Sequence, residues 1–180
     1  MTDAAYSYRP IDWDADSAAL LNFEASFVTD RIYRLVRSGL EARFVEEKLP
    51  QLLVKRYDLS GIRTALDESC FSVIAESPER VAAFMVVKLE NWNRRVWITH
   101  LYVQPQHRGR GLGKTLISKA VAHAKELEAR GLLLETQNFN YPAIGFYLSQ
   151  GFHFSGFDAD LYDPGLVPGE TAMYFGIDIV

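Results

Sequence analysis

Strand-forming runs at 69–76, 81–89 and 95–103 are separated only by the turn segments Ser77-Pro78-Glu79-Arg80 and Asn91-Trp92-Asn93. Links that short hold no crossover, so the region reads as an antiparallel meander. Pro105 stops the last of these strands, and a glycine run follows. TLISKAVAHAKELEARG then reads as a helix with Leu116, Ile117, Ala120, Ala124 and Leu127 on one face, ended by Gly131 at a C′ position. LLLETQ comes next, too short for a helix and apolar enough for a buried strand. A meander that passes through a glycine turn into a helix and a buried strand implies a mixed α/β fold.

Around this centre the signals are more local. A helix is expected from about Asp14 to Asn22, capped by Asp12 or Asp14, with Ala18, Leu21 and Ala25 inward. The next segment suits a helix through Ile32, Leu35 and Val36, or a hairpin through its β-branched and aromatic content around Ser38-Gly39. The hairpin is the expected form. Tyr141-Pro142 opens a second helix over Pro142 to Gln150, with Asn140 near its cap and Gly151 closing it. FHFSGFDADLY and ETAMYFGIDIV read as two final strands joined by a Pro/Gly-rich loop.

Composition sets outer bounds. With 180 residues, 48% hydrophobic and 23% charged, the chain is expected to fold as one domain, 1–180, without metal or disulfide support. A net charge of −4 argues against a nucleic-acid binder and for a cationic partner. The single cysteine, Cys70, allows no internal disulfide and is expected to be a buried thiol in a reducing cytoplasm. MTDAAYSYRPIDWDAD lacks the basic start and apolar stretch of a secretory signal, and VAAFMVV is far shorter than the ~18 apolar residues of a membrane span.

QHRGRGLGKTL, residues 106–116, admits three readings. A Walker A loop would end on Gly113-Lys114-Thr115, but its first glycine falls on Arg108. A dinucleotide fingerprint from Gly109 and Gly111 would need glycine where Lys114 stands, and it would have to open a βαβ unit. What remains is Arg108-x-x-Gly111-x-Gly113 between a strand and a helix, where glycines admit a close backbone approach and helix-start N–H groups face an anion. A plain strand-to-helix turn with solvated basic residues is the competing explanation of the run taken alone.

VQPQHRGRGLGKTL followed, one helix and one strand later, by NFNYPAIGFYLSQGF resembles the two signatures of the GNAT superfamily of acetyl-CoA-dependent acyltransferases. NWNRRVWI, LLLETQNFN and GFHFSGFDADLY with ETAMYF are similar to the streptothricin acetyltransferase subgroup; the match covers about residues 69–176 and is weaker over 1–68. The resemblance implies a GNAT fold, α/β (α+β), with a mixed, mostly antiparallel central sheet flanked by helices. It also implies a cytoplasmic, acetyl-CoA-dependent N-acetyltransferase of antibiotic-resistance type, acting by direct transfer on a small cationic amine. Acetylation of a protein lysine or α-amine, or an acyl-CoA-binding module without turnover, stand as the alternatives. No nucleic acid, membrane or metal partner is implied, and a homodimer is left open.

By position, the resemblance assigns backbone groups of Leu101 and Val103 to the pantetheine arm, as on a sheet edge left open. Residues Arg108, Gly109, Arg110, Gly111 and Gly113 would hold the pyrophosphate, Lys114 and Thr115 would continue the turn, and Asn140 would bond the arm. Tyr147 would bind the cofactor near its thioester sulfur and protonate the departing thiolate. A lysine-type amine, with a pKa near ~10.4, must also lose a proton. Relatives tend to carry acids close to positions 99 and 100, where this chain has Thr99 and His100. Glu135, an acid within an apolar strand, is the first candidate base, His100 the second, and a water chain the third. Glu46, Glu47, Asp158 and Asp160 are the carboxylates available for a cationic substrate.

Overall fold

The computed structural model describes residues 6–78 and 80–179. In chain order the elements are β1 (Ser7–Arg9), α1 (Trp13–Leu21), β2 (Ser26–Ser38), β3 (Glu41–Arg56), α2 (Ile62–Asp67), β4 (Phe71–Glu76) and β5 (Val81–Glu90). There follow β6 (Arg95–Val103), a 3-10 turn at Pro105–His107, α3 (Leu112–Glu126), β7 (Gly131–Gln137), α4 (Tyr141–Ser149), β8 (His153–Asp158) and β9 (Ala172–Asp178). The chain divides into two compact units, Met1–Ser26 with Arg56–Leu133 and Asp178–Val180, and Phe27–Lys55 with Leu134–Ile177. β7 runs from the first into the second.

In the first unit the strand order is β1-β4-β5-β6-β7, and the expected meander is its centre. β4 pairs antiparallel with β5 and β5 with β6, so Ile74 faces Phe84 and Met85 faces Leu101. Residues 81–87 of β5 are all buried, which explains why that run reads as continuously apolar. One face of this sheet packs Ile74, Phe84 and Val86 against Leu20, Phe23, Leu59 and Ile62. The Ser77–Arg80 turn includes Glu79, which lies outside the described residues.

α3 presents Leu112, Leu116, Ile117, Ala120 and Ala124 inward. Its end departs from the sequence expectation. Glu128, not Gly131, adopts the left-handed conformation, with φ +52°. Glu128 N–H donates to Lys125 O at 3.0 Å and Ala129 N–H to Ala124 O at 2.9 Å, the two bonds of a Schellman close. Leu127 is therefore the C-cap, 36% exposed, and Gly131 begins β7. Cys70 also differs from expectation: it precedes β4 and is exposed, although partial desolvation pushes its thiol pKa up.

Arg9 joins β1, α1 and β4. Its guanidinium donates to both oxygens of Asp16, each at 2.7 Å, and to Glu76 at 2.6 and 3.1 Å. Asp16 is 4% exposed and also accepts from the Asp12 backbone N–H at 2.8 Å. Arg9 first, and the backbone bond after it, hold the Asp16 carboxyl below its ordinary range. A depressed folded-state pKa contributes stability above the unfolded value near ~3.9 and loses it as pH falls through the folded value. Arg9→Ala is expected to cost about 2 kcal/mol in urea denaturation at pH 7. This is less than a fully buried pair would cost, because the Arg9 side chain is itself 36% exposed. An unchanged midpoint would mean that the backbone partner alone holds Asp16.

In the second unit β7, β9 and β8 lie in that order, and β8 pairs antiparallel with β9. β2 and β3 form a separate two-stranded sheet around Ser38-Gly39, the hairpin favoured from sequence. Asn138, 2% exposed, ties β2 to this unit: its backbone O accepts from Tyr33 N–H at 3.0 Å and its Nδ2 donates to Tyr33 O at 2.7 Å. The same residue donates its N–H to Thr171 O and accepts Thr171 N–H on Oδ1 at 2.8 Å. β8 ends at Asp158, so Asp160 and Tyr162, read from sequence as strand, lie in the loop before β9.

Candidate active site

In the first unit the glycine run forms the N-terminal end of α3. Gly109 and Gly111 have φ +74° and +79°, left-handed values that a side chain would strain, and a Cβ built on either would meet nothing within 4 Å. Gly111 is the N-cap, so no side chain caps the helix, and its first turn holds no acid. The opening N–H groups of a helix have no partner within it, and here the first such bond is Thr115 N–H to Gly111 O at 3.0 Å. The N–H groups opening α3 thus lie at the positive end of a helix that no side chain caps, beside glycines with open space at their Cβ positions, which suits a phosphate-bearing group. Arg108 takes another part. Its backbone N–H donates to Pro105 O, and its guanidinium donates to Val103 O at 3.1 Å and to Ser26 O, bracing the strand end.

Leu101 and Val103 lie on β6, opposite Met85 and Ala83 of β5. β7 stands on the other side of β6 in the strand order, so β6 is not a sheet edge over its whole length. Just before β6, Arg130 N–H donates to Arg94 O at 2.9 Å.

β6 bulges at Thr99, because Val86 pairs with His100 while Val87 pairs with Ile98. Thr99 Oγ1 donates to Val86 O at 3.0 Å and lies 3.1 Å from His100 Nδ1. A hydroxyl has one hydrogen and a carbonyl can only accept, so the imidazole carries its hydrogen on Nδ1 and keeps a lone pair on Nε2. Desolvation lowers the His100 pKa and favours this neutral form.

In the second unit Asn140 caps α4, its Oδ1 accepting Ala143 N–H at 3.2 Å. Tyr147, 8% exposed, sits between Phe146 and Phe152, with ring centroids at 5.4 and 5.7 Å. Glu135 on β7 accepts from the Tyr162 hydroxyl at 2.6 Å, and burial raises its pKa above the ordinary carboxyl range. Lys55 pairs with Glu170 beside it. Tyr162, Glu170, Asp160, Arg34, Arg37 and Asn138 are among the residues lining a cavity of about 510 Å³.

The acids considered for substrate are differently placed. Glu46 accepts from Arg31 at 2.5 Å and from the Tyr141 hydroxyl at 2.9 Å, and Glu47 accepts from Arg34 at 2.5 Å. Both are thus engaged across the hairpin. Asp158 closes a turn by accepting Asp160 N–H at 2.9 Å. Sequence reasoning missed Tyr162, Lys55, Glu170 and Asn138. The only advance signal was an acid in an apolar strand in need of a partner.

Residues 30–152 match the model of the acetyltransferase (GNAT) family. The chain is 31% identical to the streptothricin acetyltransferase of Streptomyces lavendulae over 90% of its own length and 89% of the relative's. A crystal structure of nourseothricin acetyltransferase superposes with a TM-score of 0.87 at 33% identity, covering 97% of this chain and 98% of that one. A Bacillus anthracis str. Ames structure in complex with acetyl coenzyme A gives 0.80 at 28% identity, covering 98% and 99%.

Proposed function

The chain belongs to the acetyltransferase (GNAT) family, and from that premise we propose that it acetylates a primary amine of a small cationic acceptor of the streptothricin class. Likeness to streptothricin and nourseothricin acetyltransferases along nearly the whole chain supports that acceptor over a peptide. The observation that carries the cofactor side is the uncapped, acid-free start of α3 behind left-handed Gly109 and Gly111. A cytoplasmic setting agrees with an exposed lone thiol, which a reducing compartment preserves.

Acetyl coenzyme A supplies an acetyl group on a thioester, which an amine can take directly. The N–H groups of Gly109, Arg110, Gly111, Leu112, Gly113 and Lys114 would hold its pyrophosphate against the positive end of α3. By resemblance to the family, backbone groups of Leu101 and Val103, and the side chain of Asn140, would orient the arm. Tyr147 would give its phenolic proton to the departing thiolate, a transfer uphill by about 2 kcal/mol between unperturbed groups. Glu135 is assigned the proton of the acceptor ammonium. His100 is the second reading for that role, favoured by the lone pair its hydrogen bond to Thr99 leaves on Nε2.

A thiol-release assay with acetyl coenzyme A and a panel of amines tests the reading. Release is expected with streptothricin, more slowly with polyamines and aminoglycosides, and least with short peptides. Absence of release with every amine would favour a binding module, and peptide preference would overturn the small-acceptor assignment.

A further inference from the structure

Glu135 and Gln137 are two residues apart on β7 and therefore point to one side of the strand. Both meet the same phenol: Gln137 Nε2 donates to the Tyr162 oxygen at 3.1 Å, and the Tyr162 hydroxyl lies 2.6 Å from Glu135 Oε1. The oxygen accepts from Gln137 and its single hydrogen goes to the carboxylate, which can only accept. Direction is thus fixed along the chain Gln137 to Tyr162 to Glu135. The phenol also lines the 510 Å³ cavity, so the carboxylate it grips is one hydrogen bond away from open space.

We propose that Tyr162 is a positioning residue for acetyl transfer, holding Glu135 in one orientation and in its ionised form so that Glu135 can accept the acceptor's ammonium proton. This rests on the reading of Glu135 as the base. In the step, an N–H proton passes to the carboxylate, leaving a neutral amine and a carboxylic acid. A carboxyl group in this place has opposing influences. Burial raises its pKa, the Tyr162 bond lowers it, Lys55 at the end of β3 lowers it and Glu170 ahead of β9 raises it. Tyr174 of β9 feels the same carboxylate, and its pKa is raised by burial, Asp158 and Glu135. With burial acting against the charged form, the Tyr162 bond is the largest influence restoring it.

The test is Tyr162→Phe in the full chain, which keeps the ring and removes the donor. Loss of a hydrogen bond to a charged group should move the acidic limb of the kcat/KM profile up by about one pH unit. Turnover should fall about tenfold on that limb and recover at high pH. A carboxyl carbon NMR titration of Glu135, assigned by its absence in Glu135→Gln, should shift by the same amount without any substrate present. Gln137→Leu removes the donor that orients the phenol, should give a smaller shift in the same direction, and serves if Tyr162→Phe does not fold. An unmoved Glu135 titration in a folded variant overturns the positioning role. An acidic limb that survives Glu135→Gln overturns instead the base assignment beneath it and transfers the role to His100.

Discussion

Tyr147→Phe is expected to lower turnover by about a hundredfold while leaving acetyl coenzyme A affinity unchanged, since positioned proton transfer contributes on the order of 10² or more. The substitution is conservative in packing. Tyr147 lies within α4, which is started by Asn140 and Pro142, and its ring stands between Phe146 and Phe152. Phenylalanine keeps that ring in place and removes one oxygen. Steady-state kinetics with calorimetry of coenzyme A binding separate the two effects. Turnover equal to the parent's would end the assignment of Tyr147 as the thiolate's proton source, and a loss confined to affinity would make it a binding residue.

The second large effect is expected at Gly111. An aspartate there would meet no steric obstacle, since a Cβ has nothing within 4 Å. It would carry about 1–2 kcal/mol of strain from the left-handed backbone, and its carboxylate would sit at the N-cap of α3, where it can satisfy the same N–H groups offered to the pyrophosphate. Strain and capping offset each other, so the melting temperature should change little. Coenzyme A binding should weaken by about a hundredfold, because charge-assisted bonds worth roughly 1.5–3 kcal/mol each are blocked by a group of like charge. Gly111→Ala supplies the strain alone and should weaken binding far less. If Gly111→Asp bound coenzyme A like the parent, the start of α3 would not be the phosphate cradle.

What could be read from the sequence was whatever local periodicity encodes. The three meander strands, the cap at Asn140 and the hairpin at Ser38-Gly39 all follow from runs and turn residues, and the structure has them. α2 has six residues and an N-cap with no side-chain bond, too little signal to register. At the end of α3 the sequence points to Gly131 as C′, but Glu128, three residues earlier, takes the left-handed position, and its carbonyl accepts from Arg94 at 2.5 Å. Side-chain partners across long sequence gaps were least legible. Arg108 sits in a motif that suggests an anion ligand, yet its guanidinium braces Ser26 and Val103. Glu46 and Glu47 carry the charge a cationic substrate would need, and Arg31 and Arg34 already hold it. Glu135 stands out in the sequence through its apolar surroundings alone, whereas its partner Tyr162 lies in a stretch that reads as strand.

The cradle at the start of α3 is built from main-chain N–H groups, and the polar cluster around Glu135 is built from side chains contributed by β3, β7 and the loop before β9. Main-chain donors tolerate drift at every position that does not need a glycine. Side-chain clusters change with each single substitution. On the proposed assignment, single substitutions around Glu135 would therefore alter the choice of amine while leaving the hold on the acetyl donor intact.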